Sequence, residues 1–429
     1  MQDVIIIGAG LAGATAALEL SKRGLLVSIL EARDRIGGRG HMRVFTGTDI
    51  ALDFGGGWIT PWQHRIRKLC TAHGIALRPR APFTERRWFR DGALHRDGPT
   101  SSADRPAHER AMARIAADAI LLKTGETKDE QGRDLVGISF AGYLDRIGAP
   151  ASTRDLLSAW WTVSGNGDKQ RVPASELLAS SAYSGGLTEG MADVWVETLV
   201  GGVTALTERM IAASKAELVL EAPVRAVAVS AKAVTVTADG GRSFTARAAV
   251  LATGLNPLRD IEFDPPLAAE RGKAARTGHL GRAVKVWAKV RGVPVGVLAT
   301  GGGAGLEWMF AERAAEDGTT FLVGFGVAGA GWTPDLPRDI EAALARFFPE
   351  AELLAWDWHD WNADPYARGA WVAATVGAPE AVAATTWIRR GALAFASSDF
   401  APDQAGWFEG AVASGEAAAT EILDFLGRN

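Results

Sequence analysis

The sequence predicts an α/β protein in which a doubly wound domain is interrupted by a second, mixed α+β domain with a helical part. Three observations lead there. The chain opens with an apolar strand, a glycine-rich turn, a helix and a second strand. Alternating strands return from Glu217 and close on Val250-Leu251-Ala252-Thr253-Gly254, and an alanine-rich helix ends the chain. Nucleotide-type elements at both ends of a mixed chain imply one domain assembled from separated segments.

Composition sets the outer limits. The 429 residues exceed one ordinary domain, and about two or three are expected. A hydrophobic share of 47% supplies sizeable cores and excludes a disordered chain. The net charge is −4 with both signs interspersed, so no nucleic-acid partner is expected. Cys70 is the only cysteine, which rules out an intramolecular disulfide and points to a reducing, cytoplasmic home. No basic segment precedes Val4-Ile5-Ile6-Ile7, so no signal peptide is expected, and no apolar run reaches the ~18 residues of a membrane span. A homodimer is the expected assembly. The seven His lack ligand spacing, so no metal site is expected. Fifteen Trp against three Tyr mean that any aromatic site must be built mainly from Trp and Phe.

The elements follow in order. Residues 4–7 read as a strand, 11–22 as a helix and 26–30 as the next strand, a βαβ opening. Residues 78–100 are rich in Arg, Pro and Gly and read as loops and short strands. Between Pro106 and Gly125, Met112, Ile115, Ala119 and Leu122 share one helical face. The charged stretch 124–134 reads as a solvent loop, with helices near 139–147 and 154–163 after it. Strand alternation covers 217–220, 224–230, 234–238 and 243–252, with Gly240-Gly241 as a hairpin turn. A second strand-rich stretch runs over 282–327 with a flexible Gly301-Gly302-Gly303, and 339–347 and 410–426 read as helices.

One strand raises a question. In Ala283-Val284-Lys285-Val286-Trp287-Ala288-Lys289-Val290, alternation puts Val284, Val286, Ala288 and Val290 on one face. Ala283, Lys285, Trp287 and Lys289 take the other. Periodicity alone makes the first face buried and the second wet.

The turn Gly8-Ala9-Gly10-Leu11-Ala12-Gly13 sits between strand and helix, and Glu31 ends the next strand, 18 residues past Gly13. This is the Rossmann-type dinucleotide fingerprint. The first glycine permits the tight turn, the second lets a pyrophosphate reach the backbone, and the third lets helix and strand pack closely. The helix N-terminus favours the phosphate charge, and the acid accepts hydrogen bonds from ribose hydroxyls. The motif alone does not choose between NAD and FAD.

The chain continues Glu31-Ala32-Arg33-Asp34-Arg35-Ile36-Gly37-Gly38-Arg39, then Asp53-Phe54-Gly55-Gly56-Gly57-Trp58-Ile59. Near the end it reads Leu393-Ala394-Phe395-Ala396-Ser397-Ser398-Asp399 and Gly406-Trp407-Phe408-Glu409-Gly410. Together these stretches resemble the flavin-containing amine oxidase family, which includes monoamine and polyamine oxidases. Residues 157–165, 278–292, 357–365 and 369–373 resemble its nicotine-oxidising branch, so the likeness covers most of the chain outside the loops.

The resemblance implies FAD, contacted by Gly8, Gly10, Gly13, Glu31, Arg33, Gly38, Arg39, Gly56, Gly57, Trp58, Val224, Ser398, Asp399 and Phe408. It implies non-covalent FAD, because members that link the flavin use a cysteine where Ala370 stands. It makes Trp371 and Trp407 an aromatic cage beside the flavin. It gives Lys285 a water that also touches flavin N5, where an ammonium would stabilise charge as O2 is reduced. Lys289 has no family counterpart and is expected to face solvent. The branch's active-site Asn aligns with Thr162, after Trp161, and its active-site Tyr falls at Trp308 or Phe310. These four residues are the expected substrate pocket. The FAD-binding domain is expected over 1–77, 203–281 and 382–429. The substrate-binding domain then takes 78–202 and 282–381, helical near 106–200.

Other residues keep plainer expectations. Trp160, Trp287 and Trp332 read as core, and His359 as a structural histidine. Arg78, Arg80, Arg86, Arg87, Arg90 and Arg96 read as a solvated face. The function implied is oxidation of a small secondary or cyclic amine bearing an aromatic ring to an imine, with O2 reduced to H2O2. The alternatives are a flavin dehydrogenase or desaturase using another acceptor, and a non-catalytic binding protein on the same fold.

Overall fold

The computed structural model describes residues 2–183, 193, 195–302, 305–329, 332, 334–377 and 382–427. Among them, eight strands form the first sheet, in the order Glu217–Val219, Val27–Leu30, Gln2–Ile7, Ser243–Leu251, Val234–Ala238, Val224–Val229, Glu262–Asp264. Leu393–Phe395 also pairs with Ser243–Leu251. Gln2–Ile7 lies parallel to both neighbours, Ile6 standing opposite Ile29 and Val250. A central parallel strand is covered on both faces, which is why its apolar run is continuous and Val4 to Ile7 are buried. Helices Leu11–Lys22 and Phe408–Leu426 pack together on this sheet. They come so close that a Cβ at Gly415 would stand 2.4 Å from the Ala12 carbonyl oxygen. The two ends of the chain thus build one layer.

The second sheet has seven strands among the described residues, in the order Glu352–Trp358, Ala283–Arg291, Thr320–Val327, Leu306–Ala314, Val297–Gly301, Glu85–Arg90, Ala93–His95. Both faces of Ala283–Arg291 are buried. Its valines pack with Ile340, Leu344 and Phe347 of the helix Pro337–Phe347, while Trp287 joins a separate core with Phe310, Phe325 and Trp161. The wet lysine face expected from alternation is therefore a second interior, and Lys285 is only 4% exposed. Lys289, two same-face positions further along the strand, is partly buried and paired with Asp317 at 2.7 Å.

Other expectations shift for physical reasons. The helix Arg105–Lys123 buries His108, Ala111, Ile115, Asp118 and Ala119, so its inner face includes polar residues that an apolar count ignores. Asp118 accepts from the Tyr143 hydroxyl at 2.8 Å and pairs with Arg114. The charged loop after it is clipped down by buried Asp129, which pairs with Arg114 and Arg133. The arginine cluster is not a uniform solvated face. Arg87 lies between Glu85 and Glu350, Arg90 meets Asp97, and Arg80 covers the Phe83 ring at 3.8 Å. Long stems cover apolar surface while their heads find carboxylates. Helices His64–Ala72, Gly202–Ser214 and Ala269–Thr277 have no counterpart among the expected elements, while Ala174–Tyr183 falls in the stretch expected to be helical near 106–200. Gly301 ends a strand, and Gly303 lies outside the described residues. Among the described residues no helix is long and apolar enough to cross a membrane.

Candidate active site

A long cleft runs from the glycine turn to the strand carrying Lys285, along the C-terminal ends of the first sheet. Its first part is backbone. Gly8 has φ +114, and a Cβ there would stand 2.6 Å from the Ala252 carbonyl oxygen. A Cβ at Gly13 would stand 2.0 Å from the Gly8 carbonyl oxygen, so helix and turn touch only because residue 13 is glycine. Gly10 precedes the helix in extended conformation with no side chain capping the first turn. Glu31 accepts from the backbone N–H of Ala9 (2.8 Å) and of Arg33 (3.0 Å), which fixes the carboxylate and leaves lone pairs for hydroxyl donors.

Of the expected cofactor contacts, Gly8, Gly10, Glu31, Arg33, Gly38, Arg39, Gly56, Val224, Ser398 and Phe408 line this cleft. Gly13, Gly57, Trp58 and Asp399 stand one layer behind it. Gly57 packs on Asp53, and Gly56 leaves room for the Phe408 ring, 2.6 Å from where its Cβ would be.

Arg39 ties three distant segments together. It donates to the Ala370 carbonyl oxygen (2.7 Å), to Ser398 Oγ (3.0 Å) and to Asp399 Oδ1 (2.6 Å). Burial works against charge on Asp399, yet Arg39, His279 and the Leu255 N–H together hold its carboxyl below the usual range. Burial pushes His279 down to about 4 despite the pull of Asp399. Its Nδ1 accepts from the Gly281 N–H, which leaves the hydrogen on Nε2, 3.6 Å from Asp399.

The far part of the cleft is made of side chains. Lys285, Trp371 and Trp407 all line it. Lys285 Nζ donates to the Gly55 carbonyl oxygen at 2.9 Å and stands 4.3 Å from the centre of the Trp58 ring and 5.3 Å from that of Trp287. Burial lowers its pKa to about 8, while Asp53 and Glu312 pull the other way. Burial likewise raises Asp53 to about 6 against the pull of Lys285. Trp371 is held by its backbone: Asn166 Nδ2 donates to its carbonyl oxygen at 2.8 Å. Trp407 precedes the helix Phe408–Leu426, whose first turn has no side-chain cap and opens on the cleft. Trp287, expected as plain core, is core on one side and a wall of the lysine site on the other.

The expected substrate pocket is not assembled as one open wall. Trp161 packs on Phe140 and Trp160 and donates its indole N–H to the Asn166 carbonyl oxygen, and the Thr162 hydroxyl donates back to the Ala159 carbonyl oxygen. Both are buried in their helix contact. Phe310 packs on Trp58 and Phe83, close to Lys285, and Trp308 on Trp195. None of the four lines the cleft.

Sequence reading missed several residues here. The Thr253 hydroxyl and Arg35 Nη2 are shielded from solvent without a hydrogen-bond partner, although Arg35 Nη1 donates to the Ile36 and Gly38 carbonyl oxygens. Trp361 and Tyr366 also line the cleft. Thr253 follows the strand Ser243–Leu251 by two residues, and Arg35 belongs to the Glu31–Arg39 stretch. Nothing local marks Asn166 or Glu312. Unsatisfied donors, two uncapped helix starts and glycine clearance suit a dinucleotide with its phosphates. Cys70 is buried in His64–Ala72 and does not line the cleft.

The family model described as flavin containing amine oxidoreductase matches residues 11–423. Among curated proteins, the (S)-6-hydroxynicotine oxidase of Paenarthrobacter nicotinovorans is 28% identical over 99% of this chain and 100% of its own. The pseudooxynicotine dehydrogenase of a Pseudomonas species is 27% identical over 100% of this chain and 87% of its own. A solved structure of putrescine oxidase bound to putrescine superposes with a TM-score of 0.86 at 26% identity, covering 99% of each chain.

Proposed function

Because the chain belongs to the flavin-containing amine oxidoreductase family, we propose that it oxidises the C–N bond of a small secondary or cyclic amine with an aromatic ring. Its cofactor is FAD, held without a covalent bond. The amine loses two electrons and two protons to become an imine, and O2 takes both to become H2O2. The nicotine-related names of two relatives support the substrate class. The observation that carries the reading is a buried lysine lining the same cleft as two tryptophans.

FAD, when bound, supplies the two-electron acceptor. The chain's own residues do the rest. Trp371 and Trp407 present flat apolar surface that orients the amine and disfavours its ammonium form. Lys285, as an ammonium, favours the negative charge that develops when oxygen is reduced. Phe310 and Trp308 shape the region behind Trp58, and Trp161 and Thr162 act by fixing the helix that carries them. Arg39, with Asp399 and Ser398, holds the Trp371 segment against the cofactor turn. The eight- and seven-stranded sheets support a division into 1–77, 203–281 and 382–429 for cofactor and 78–202 and 282–381 for substrate, since every strand of each falls in one set, while a small sheet of Trp58–Ile59, Glu197–Leu199 and Leu77–Pro79 spans the two. We place the enzyme in the cytoplasm, on its single cysteine, and expect a homodimer, to be checked by light scattering.

An anaerobic panel of amines tests the substrate class. Secondary and cyclic aromatic amines should bleach the flavin band fastest; primary aliphatic diamines bleaching faster would overturn it. A relative named as a dehydrogenase favours a second reading, in which the electrons leave to another acceptor. Peroxide formed in step with substrate consumption decides for O2.

A further inference from the structure

We propose that Glu312 is a positioning residue that, through the Trp58 indole, holds Lys285 in place as an ammonium ion. The proposal deepens the function above and rests on the reading that Lys285 serves the oxygen step.

The geometry is a relay. Lys285 Nζ lies 4.3 Å from the centre of the Trp58 ring, within range of a cation–π contact. The edge of that ring is held in turn, because the Trp58 indole N–H donates to Glu312 Oε1 at 3.3 Å. A carboxylate on the indole N–H pushes electron density into the ring and strengthens its hold on a cation, but not on a neutral amine. Trp287, the other ring beside the lysine, donates its N–H to the neutral Asp53 carbonyl oxygen at 2.9 Å. The two indoles are therefore pinned alike but only one is charged from behind.

Glu312 is suited to this and to little else the structure shows. It shares a strand with Trp308 and Phe310, and its second oxygen, Oε2, is shielded from solvent with no hydrogen-bond partner. Burial raises its pKa, against the pull of Trp58, Arg80, Lys285 and Arg78. The charged groups acting on Lys285 are Asp53, from the strand Ala51–Asp53, and Glu312, from Leu306–Ala314. Arg80 is engaged elsewhere, donating to the Trp195 and Ala81 carbonyl oxygens.

The test uses the holoenzyme with Glu312→Gln, which keeps an oxygen for the Trp58 N–H and removes the charge. Trace labelling with acetic anhydride across a pH series, quantified on the Lys285 peptide, reports when that amine loses its proton without needing turnover. Its midpoint is expected to fall by about one pH unit in Glu312→Gln. The alkaline limb of flavin reoxidation by O2, measured by stopped flow, is expected to fall with it. If the labelling midpoint stays put, the proposal is overturned whatever the reoxidation does. If labelling shifts and reoxidation does not, Glu312 keeps its role and the oxygen role of Lys285 is lost. The relay is separated from plain charge by repeating the comparison in Trp58→Phe, which has no N–H. There Glu312→Gln should shift the midpoint less, and an undiminished shift rules out the indole as the carrier.

Discussion

The dinucleotide end of the cleft and the Lys285 end are built on opposite principles. The first is backbone: close approaches at Gly8 and Gly13 admit no Cβ, and the helix after Gly10 starts with no side chain capping its N–H groups. The second is side chain: a buried cation, two indole faces and two carboxylates, one buried and one half-buried, meet from four separated strands or loops. Backbone sites tolerate no added atom, whereas side-chain sites tolerate changes of shape but not of charge. That difference predicts how each end fails.

The largest effect should come from the backbone end. Gly13→Val places atoms where the Gly8 carbonyl oxygen already stands, at a cost of about 3 kcal/mol or more. The protein should lose its yellow colour on purification, read from the flavin band, and melt earlier. Retained flavin at full occupancy would break the comparison. Next comes the junction between the ends. Asp399→Asn removes the buried partner of Arg39 and should cost about 2–4 kcal/mol in urea unfolding at neutral pH. Asp399 has a lowered folded pKa. Its contribution is therefore full above the unfolded carboxylate range and lost as pH falls through the folded value, so wild type and variant should converge in acid.

At the side-chain end, Lys285→Met should leave folding and flavin content intact while slowing flavin reoxidation by about 10–100-fold. In wild type the reoxidation rate should fall as pH rises through about 8, where the ammonium is lost. Stability should move the other way. The unfolded lysine titrates near 10.5, so between about 8 and 10.5 the unfolded state binds the extra proton and folding strengthens with rising pH. Melting temperature that tracks the reoxidation rate downward through that window would contradict the assignment. The smallest effect belongs to the other lysine of the same strand face. Lys289→Ala removes an ion pair with half-exposed Asp317 and should change stability by less than about 1 kcal/mol.

Much of the fold was legible because it is locally encoded. The helix Leu11–Lys22 and the strand Val234–Ala238 keep their expected bounds, since hydrophobic period and flanking glycines are read over a few residues. The helices His64–Ala72, Gly202–Ser214 and Ala269–Thr277 carry no such local signal: they are short or weakly amphipathic and take their stability from packing. In the site, residues carried by motifs, such as Glu31, Arg39 and Trp407, do line the cleft. Trp161 and Thr162 point into the packing of the helix Ala151–Ser164 and do not line the cleft.

The sequence by itself determined the opening βαβ unit, the glycine cradle and the alternation that sends Lys285 away from the valines. Each depends on neighbours within a turn or a pleat, so local chemistry suffices. Only the tertiary structure decided what Lys285 faces. Trp58, Asp53 and Glu312 reach it from positions more than two hundred residues away or from another strand, and burial turns their charges into strong, mutually dependent effects. Strand periodicity records direction; the dielectric and the partners at that face exist only once the chain has closed over it.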